Sequence, residues 1–162
     1  MATVIVSVIL TNISSIYLAK RALTQATEAA AQRGVRNLDR DAYYKGEYNL
    51  WQFAKNLLAE AETDPGIPID CENGRADALS ALNDWMQIGS SGAIANSRSN
   101  LESIQINQIE CDGFELKIST SAEVLLPFVL PFINLDSFEI SSTVASIAQR
   151  KITTNFYGID IG

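Results

Sequence analysis

The sequence predicts an α+β protein: a long N-terminal membrane-spanning helix that runs on into a helical segment, followed by a small antiparallel β-meander domain. Three observations predict it. Residues 2–19, "ATVIVSVILTNISSIYLA", carry no charge and are aliphatic on all sides of a helical wheel. No proline, glycine or turn follows Lys20 and Arg21, and an alanine-rich, helix-favouring series continues to Gly34. Beyond residue 100 the apolar period changes to two, the period of half-buried strands.

The first element is a span of 18 uncharged residues, roughly 27 Å as a helix against a hydrocarbon core of ~30 Å. A buried core segment or a cleaved signal are the other readings of such a run. No basic region precedes it, and Lys20 and Arg21 stand where a small-residue cleavage site would fall, so a retained anchor is expected. Three regions follow: a transmembrane segment over 1–19, a continuing spine helix over 20–36, and an α+β domain over 37–162. In the spine, Ala22, Ala26, Ala29 and Ala30 recur at three-to-four spacing, a low-relief stripe against which another element can pack closely. That element is either the domain itself or a neighbouring copy.

Two amphipathic helices are expected next. Residues 48–62 align Leu50, Trp51, Ala54, Leu57, Leu58 and Ala61, with Asp64-Pro65-Gly66 as the stop. In "GRADALSALNDWMQIGSSG", Ala78, Leu79, Leu82, Trp85 and Met86 repeat the helical spacing, and Gly89 to Gly92 ends it. The strands follow: Ile104 and Ile106, then Phe114, Leu116 and Ile118, and later Phe138, Ile140, Ser142 and Val144. Between the first two, Asp112-Gly113 supplies the residues of a two-residue type I′ hairpin.

Charge and composition narrow the function. Residues 1–27 hold Lys20 and Arg21 and no acid; of the 12 bases the other 10 face all 19 acids, a net −9. Such a surface repels phosphate, so no nucleic-acid partner is expected. Histidine is absent, which removes the commonest general base and metal ligand. No enzyme activity, cofactor or metal is expected. The acids of "ETDPGIPIDCENGRAD" (Asp64, Asp70, Glu72, Asp77, with Asn73) lack the alternating spacing of an EF-hand loop and read as solvated. The cluster "RNLDRDAYYKGEY", with Arg36, Asp39, Arg40, Asp41, Tyr43, Tyr44 and Tyr48, reads as a helix end and loop surface. The run "VLLPFVLPFI" at 124–133, with Leu126, Phe128, Leu130 and Phe132, is too short and proline-broken to span a membrane. It is a connector over the end of the sheet, or an apolar patch that meets the membrane surface or a partner subunit.

Cys71 and Cys111 are the two cysteines, each beside acidic and turn residues and neither in a CxxC. A disulfide between them, which implies an oxidising space outside the cytoplasm, is set against two buried thiols. Lys20 and Arg21 after the span pull the other way by the positive-inside rule. The expectation is a single-pass protein of the cytoplasmic membrane with its C-terminal domain outside the cytoplasm.

The segment "YLAKRALTQATEAAAQRG" with Tyr17, Lys20, Arg21, Leu23, Ala26, Glu28, Ala29, Ala30 and Ala31, and the "ATVIVSVIL" opening, resembles the TadE/TadG-like pilin-related proteins of the tight-adherence (Tad) pilus system. The likeness covers the first ~35 residues by motif and the rest by architecture. A processed prepilin carries a leader ending in Gly and a Glu five residues into the mature chain; this chain has Met1 and, thereabouts, Val6 and Ser7. Either the chain belongs to the unprocessed members or residues upstream of Met1 are missing, so prepilin-peptidase processing is not claimed. The resemblance implies a minor-pilin-like or pilus-assembly component whose partners are other pilin-like subunits, the inner-membrane assembly platform and the lipid bilayer. A membrane-anchored ligand-binding or sensor module is the alternative, with the acidic loop and tyrosine cluster as its site; a soluble enzyme is a distant third.

Overall fold

The computed structural model describes residues 2–44, 66–91, 101–129, 136–148, 155–156 and 159–160. The helix expected over 48–62 lies outside them. Helix α1 (Ala2–Gly34) is one unbroken rod of 33 residues, about 50 Å long. In its first half two hydroxyls bond back to the preceding turn, Thr11 to Ser7 O and Ser14 to Leu10 O, both 2.8 Å. Helix polarity is thus satisfied locally even where the side chains are otherwise aliphatic.

A short α2 (Arg40–Tyr44) follows, then α3 (Cys71–Ser91) and three strands, β1 (Leu101–Cys111), β2 (Glu115–Leu125) and β3 (Ser137–Ile147). They form an antiparallel meander in the order β1-β2-β3. Two-residue strands β4 (Asn155–Phe156) and β5 (Ile159–Asp160) pair with each other. Helix α3 begins at Cys71, three residues ahead of the expected Gly74, because Asp70 caps it: its Oδ1 accepts the N–H of Glu72 and of Asn73, each at 3.1 Å.

Both long helices lie on one face of the sheet. Strand β2 runs through the middle and buries every second residue, Leu116, Ile118, Thr120, Ala122 and Val124. Ile104 from β1 and Ile140 and Ser142 from β3 complete that face. Onto it pack Ala19, Leu23, Ala26, Thr27, Ala30 and Ala31 of α1 and Ala78 and Leu82 of α3. Trp85 and Met86 flank this core half-buried, whereas Leu79, expected on the same face, is exposed at its edge. Phe138, expected as an inward strand residue, is likewise exposed.

In β1 the alternation slips. Ile106 faces Thr120 and Ile109 faces Ile118, with a register shift between Ile106 and Gln108. The extra residue keeps Ile104, Ile106, Ile109 and Cys111 all on the helix side, as a β-bulge does.

The β1–β2 connection differs from the two-residue turn expected. Cys111 pairs with Leu116, so four residues intervene, and Phe114 sits in the turn rather than in a strand. The cause is the Asp112 carboxylate, whose Oδ1 accepts the N–H of Phe114 (2.9 Å) and of Glu115 (2.7 Å). These bonds hold its pKa below the ordinary carboxylate value, the Phe114 N–H contributing most. Gly113 takes φ +94°, open to glycine and strained for other residues.

Candidate functional site

The segment 66–71 crosses the end of the domain where α1 stops and ties four parts of the chain together. Ile67 N donates to Ala148 O after β3 and Ile69 N to Gly113 O in the turn, both at 2.7 Å. Asp39 N donates to Pro68 O and Asp70 N to Asn37 O. The disulfide Cys71–Cys111, with Cα atoms 5.8 Å apart, joins the first residue of α3 to the last of β1. Here α1 and α3 also meet: a Cβ on Gly34 would stand 2.2 Å from Leu116 Cδ2 and 2.8 Å from Gly74 O.

At the other end α1 leaves the domain. From residue 3 to residue 18 it is largely exposed and apolar, with Val4, Ile5, Val6, Ile9, Leu10, Ile13, Tyr17 and Leu18 on its surface. It is the one helix among the described residues that is long and apolar enough to cross a membrane. It has the length and composition of a membrane span or of a signal sequence.

The exception on that stretch is Asn12, which is 4% exposed. Its Nδ2 donates to Phe128 O at 2.8 Å and its Oδ1 accepts from Phe128 N at 3.3 Å. One side-chain amide thus pairs both polar backbone groups of one residue in the β2–β3 loop. Asn12 is 18 residues, five turns, from Ala30, and so continues the domain-facing line of the helix. Ile16, Ala19, Leu23 and Ala26 lie between them. Around this contact Leu125, Phe128, Val129 and Phe138 are exposed. Phe128 and the helix residues Thr3, Val4, Ser7, Val8 and Thr11 bound a shallow groove of about 290 Å³.

The four alanines singled out in the spine part company. Ala26 and Ala30 are buried in the protein's own core, Ala22 is half-buried, and Ala29 faces solvent. At roughly 100° per residue the buried arc centres near Leu23 and Ala30, which puts Ala22 at its edge and Ala29 beyond it. Of the connector residues, Leu126 is half-buried and its N–H donates to Asp136 O at 3.0 Å, closing the loop. Phe128 is exposed; Leu130 and Phe132 lie outside the described residues.

Several acids of the 62–77 stretch hold local structure. Asp70 caps α3, and its carboxyl is held below the usual range chiefly by the Asn73 backbone N–H and then by that residue's side-chain amide. Asp77 accepts from Asn37 Nδ2 at 2.9 Å. Asp64 and Tyr48 lie outside the described residues. Asp39 caps α2 through Ala42 N, and Tyr43 and Tyr44 meet edge to face with ring centres 5.3 Å apart. Among the described residues no group of three His, Cys, Asp or Glu side chains could hold a metal ion.

Ala26→Leu tests the burial of the stripe. Leucine ranks just below alanine in helix propensity, so any loss comes from packing. Overfilling the Ala26 site is expected to cost about 1–3 kcal/mol, read as a lower thermal midpoint of the full chain in detergent. An unchanged midpoint would mean that this helix face is loosely seated.

No family model, curated protein or solved structure matches the chain. The functional reading rests on the geometry.

Proposed function

We propose that this protein is a single-pass membrane-anchored assembly component, similar to a minor pilin, whose folded domain stands outside the cytoplasm and acts through contacts with other subunits, without catalysis. The observation that carries it is the division of α1: one unbroken helix is the exposed apolar extension for its first half and the buried spine of an α+β domain for its second. The Cys71–Cys111 bond supports the outside placement, since disulfides persist in oxidising compartments. By the resemblance of the first ~35 residues to pilin-related proteins, its partners are pilin-like subunits and an inner-membrane assembly platform. The sensor alternative draws no support from Asp70, Asp77 or Asp39, which are engaged in caps and in the Asn37 contact.

The test combines fractionation with cross-linking in cells. The full chain should stay with membranes through carbonate extraction. Ile9→Lys, which places a charge in the span at about 2.5–3.5 kcal/mol on the insertion scale, should release a large share of it. A photoreactive residue in place of the exposed Tyr17 should give adducts with other single-span subunits. Full-length wild-type protein in the soluble fraction would overturn the anchor, and a membrane-bound protein without adducts would favour the sensor module.

A further inference from the structure

We propose that the start of the β2–β3 loop, Phe128 and Val129, enters the bilayer beside α1, with Asn12 as the partner of the Phe128 backbone. This rests on the membrane-anchored reading above, and the site is the contact between Asn12 and Phe128.

A loop on a water-facing surface hands its backbone N–H and C=O groups to solvent and turns polar side chains outward. At Phe128 both habits are reversed. Its N–H and C=O point inward to the Asn12 amide, which is itself buried, while Phe128, Val129 and the adjoining Leu125 turn apolar side chains outward. That is the arrangement hydrocarbon demands, because non-helical backbone at membrane depth persists only where protein groups pair it. An asparagine on an otherwise aliphatic helix has the complementary problem, and one contact satisfies both.

The charge pattern identifies acyl chains as the occupant of this surface. Phe128 adjoins the exposed aliphatic stretch of α1, residues 2–19 and 124–129 contain no charge, and the one acid among the loop's described residues, Asp136, stands at its base opposite Leu126. The first charges on α1 are Lys20 and Arg21. Asn12 lies eight residues before Lys20, roughly 12 Å along the helix. With Lys20 and Arg21 at the headgroups, Phe128 sits well inside the leaflet nearest the domain.

The experiment places nitroxide labels, one at a time, at Phe128→Cys, Ile9→Cys and Ser141→Cys in full-length protein reconstituted into phosphatidylcholine–phosphatidylglycerol vesicles; the native cysteines are paired and do not react. Collision rates with oxygen, which partitions into lipid, and with a water-soluble nickel chelate report depth. Ile9 and Phe128 labels should favour oxygen severalfold, and the Ser141 label, on the outer face of the sheet, should favour nickel. Val129→Cys repeats the loop measurement should Phe128→Cys fold poorly. A lipid signal at Ile9 with an aqueous signal in the loop overturns the proposal and leaves the anchor standing. Aqueous signals at both overturn the anchor and the proposal together. A loop label shielded from both reagents means a protein partner covers it, and also overturns the proposal. Asn12→Leu, which makes the helix more apolar, should shift the loop label toward water with Ile9 unchanged; an unmoved loop label overturns the role given to Asn12.

Discussion

Replacing both cysteines with serine is expected to lower the stability of the folded protein by roughly 4 kcal/mol, the loop-entropy value for a link of this span. Cys71 and Cys111 are 40 residues apart in sequence, and their bond closes that stretch into a ring in the unfolded chain. Without it the unfolded ensemble gains freedom, while the folded end keeps the Ile69–Gly113, Asp70–Asn37 and Ile67–Ala148 hydrogen bonds. Urea unfolding of the full chain in detergent should therefore show an earlier midpoint and a somewhat steeper denaturant dependence, because an open chain exposes more surface than a ringed one. A loss under about 1 kcal/mol would mean that those hydrogen bonds already constrain the unfolded chain, or that the bond carries no loop constraint. Native wild-type protein should also resist alkylation until a reductant is added.

Leu116→Ala is expected to cost about 2–5 kcal/mol. Leu116 is wholly buried in the central strand, and its Cδ2 fills the space where any residue but glycine at position 34 would put its Cβ. Gly34→Ala alone should also destabilise, by about 1–3 kcal/mol of overpacking. The two sites share one volume, so the double variant should be less destabilised than the two single losses added together. The Gly74 carbonyl, 2.8 Å from the added Cβ, limits the rescue. Strict additivity in urea unfolding would show that Gly34 and Leu116 do not share that space in solution.

What could be read from the residues follows their chemistry. The rod-like α1, the change to a period of two and the core roles of Leu116, Ile118 and Ile140 are repeated signals, spread over many positions, and one exception does not erase them. The bulge in β1 was also legible in principle: Ile104 and Ile106 are followed by Ile109 and Cys111, a phase slip of one residue at the bulge. The four-residue turn was not, because Asp-Gly suits a tight hairpin equally well, and the choice was made by a carboxylate reaching two amides further along. Long-range polar pairs leave still less trace. Asn12 reads as a mere dilution of an apolar run until Phe128, 116 residues away, is set beside it. Thr27 and Thr120, whose buried hydroxyls share a 2.7 Å hydrogen bond, are equally unremarkable in the chain. Which side of the alanine stripe would be covered also required the third dimension, since Ala22 and Ala29 share the spacing of Ala26 and Ala30.

The helix is pinned at three levels, twice to the sheet and once to its β2–β3 loop: Gly34 against Leu116, Thr27 to Thr120, and Asn12 to Phe128. A rod held at three points along its length can neither roll nor slide on its support without breaking a contact at each. Mechanically, α1 and the sheet are a single lever about 50 Å long. On the membrane-anchored reading, a helix tilt of ~20°, ordinary for a transmembrane span, would swing the far end of that lever sideways by roughly 17 Å. The heading of the domain would then be set by whatever fixes the angle of its anchor, the helices packed beside it and the Lys20 and Arg21 pair at the headgroups, and a change of neighbour would re-aim the surface it presents.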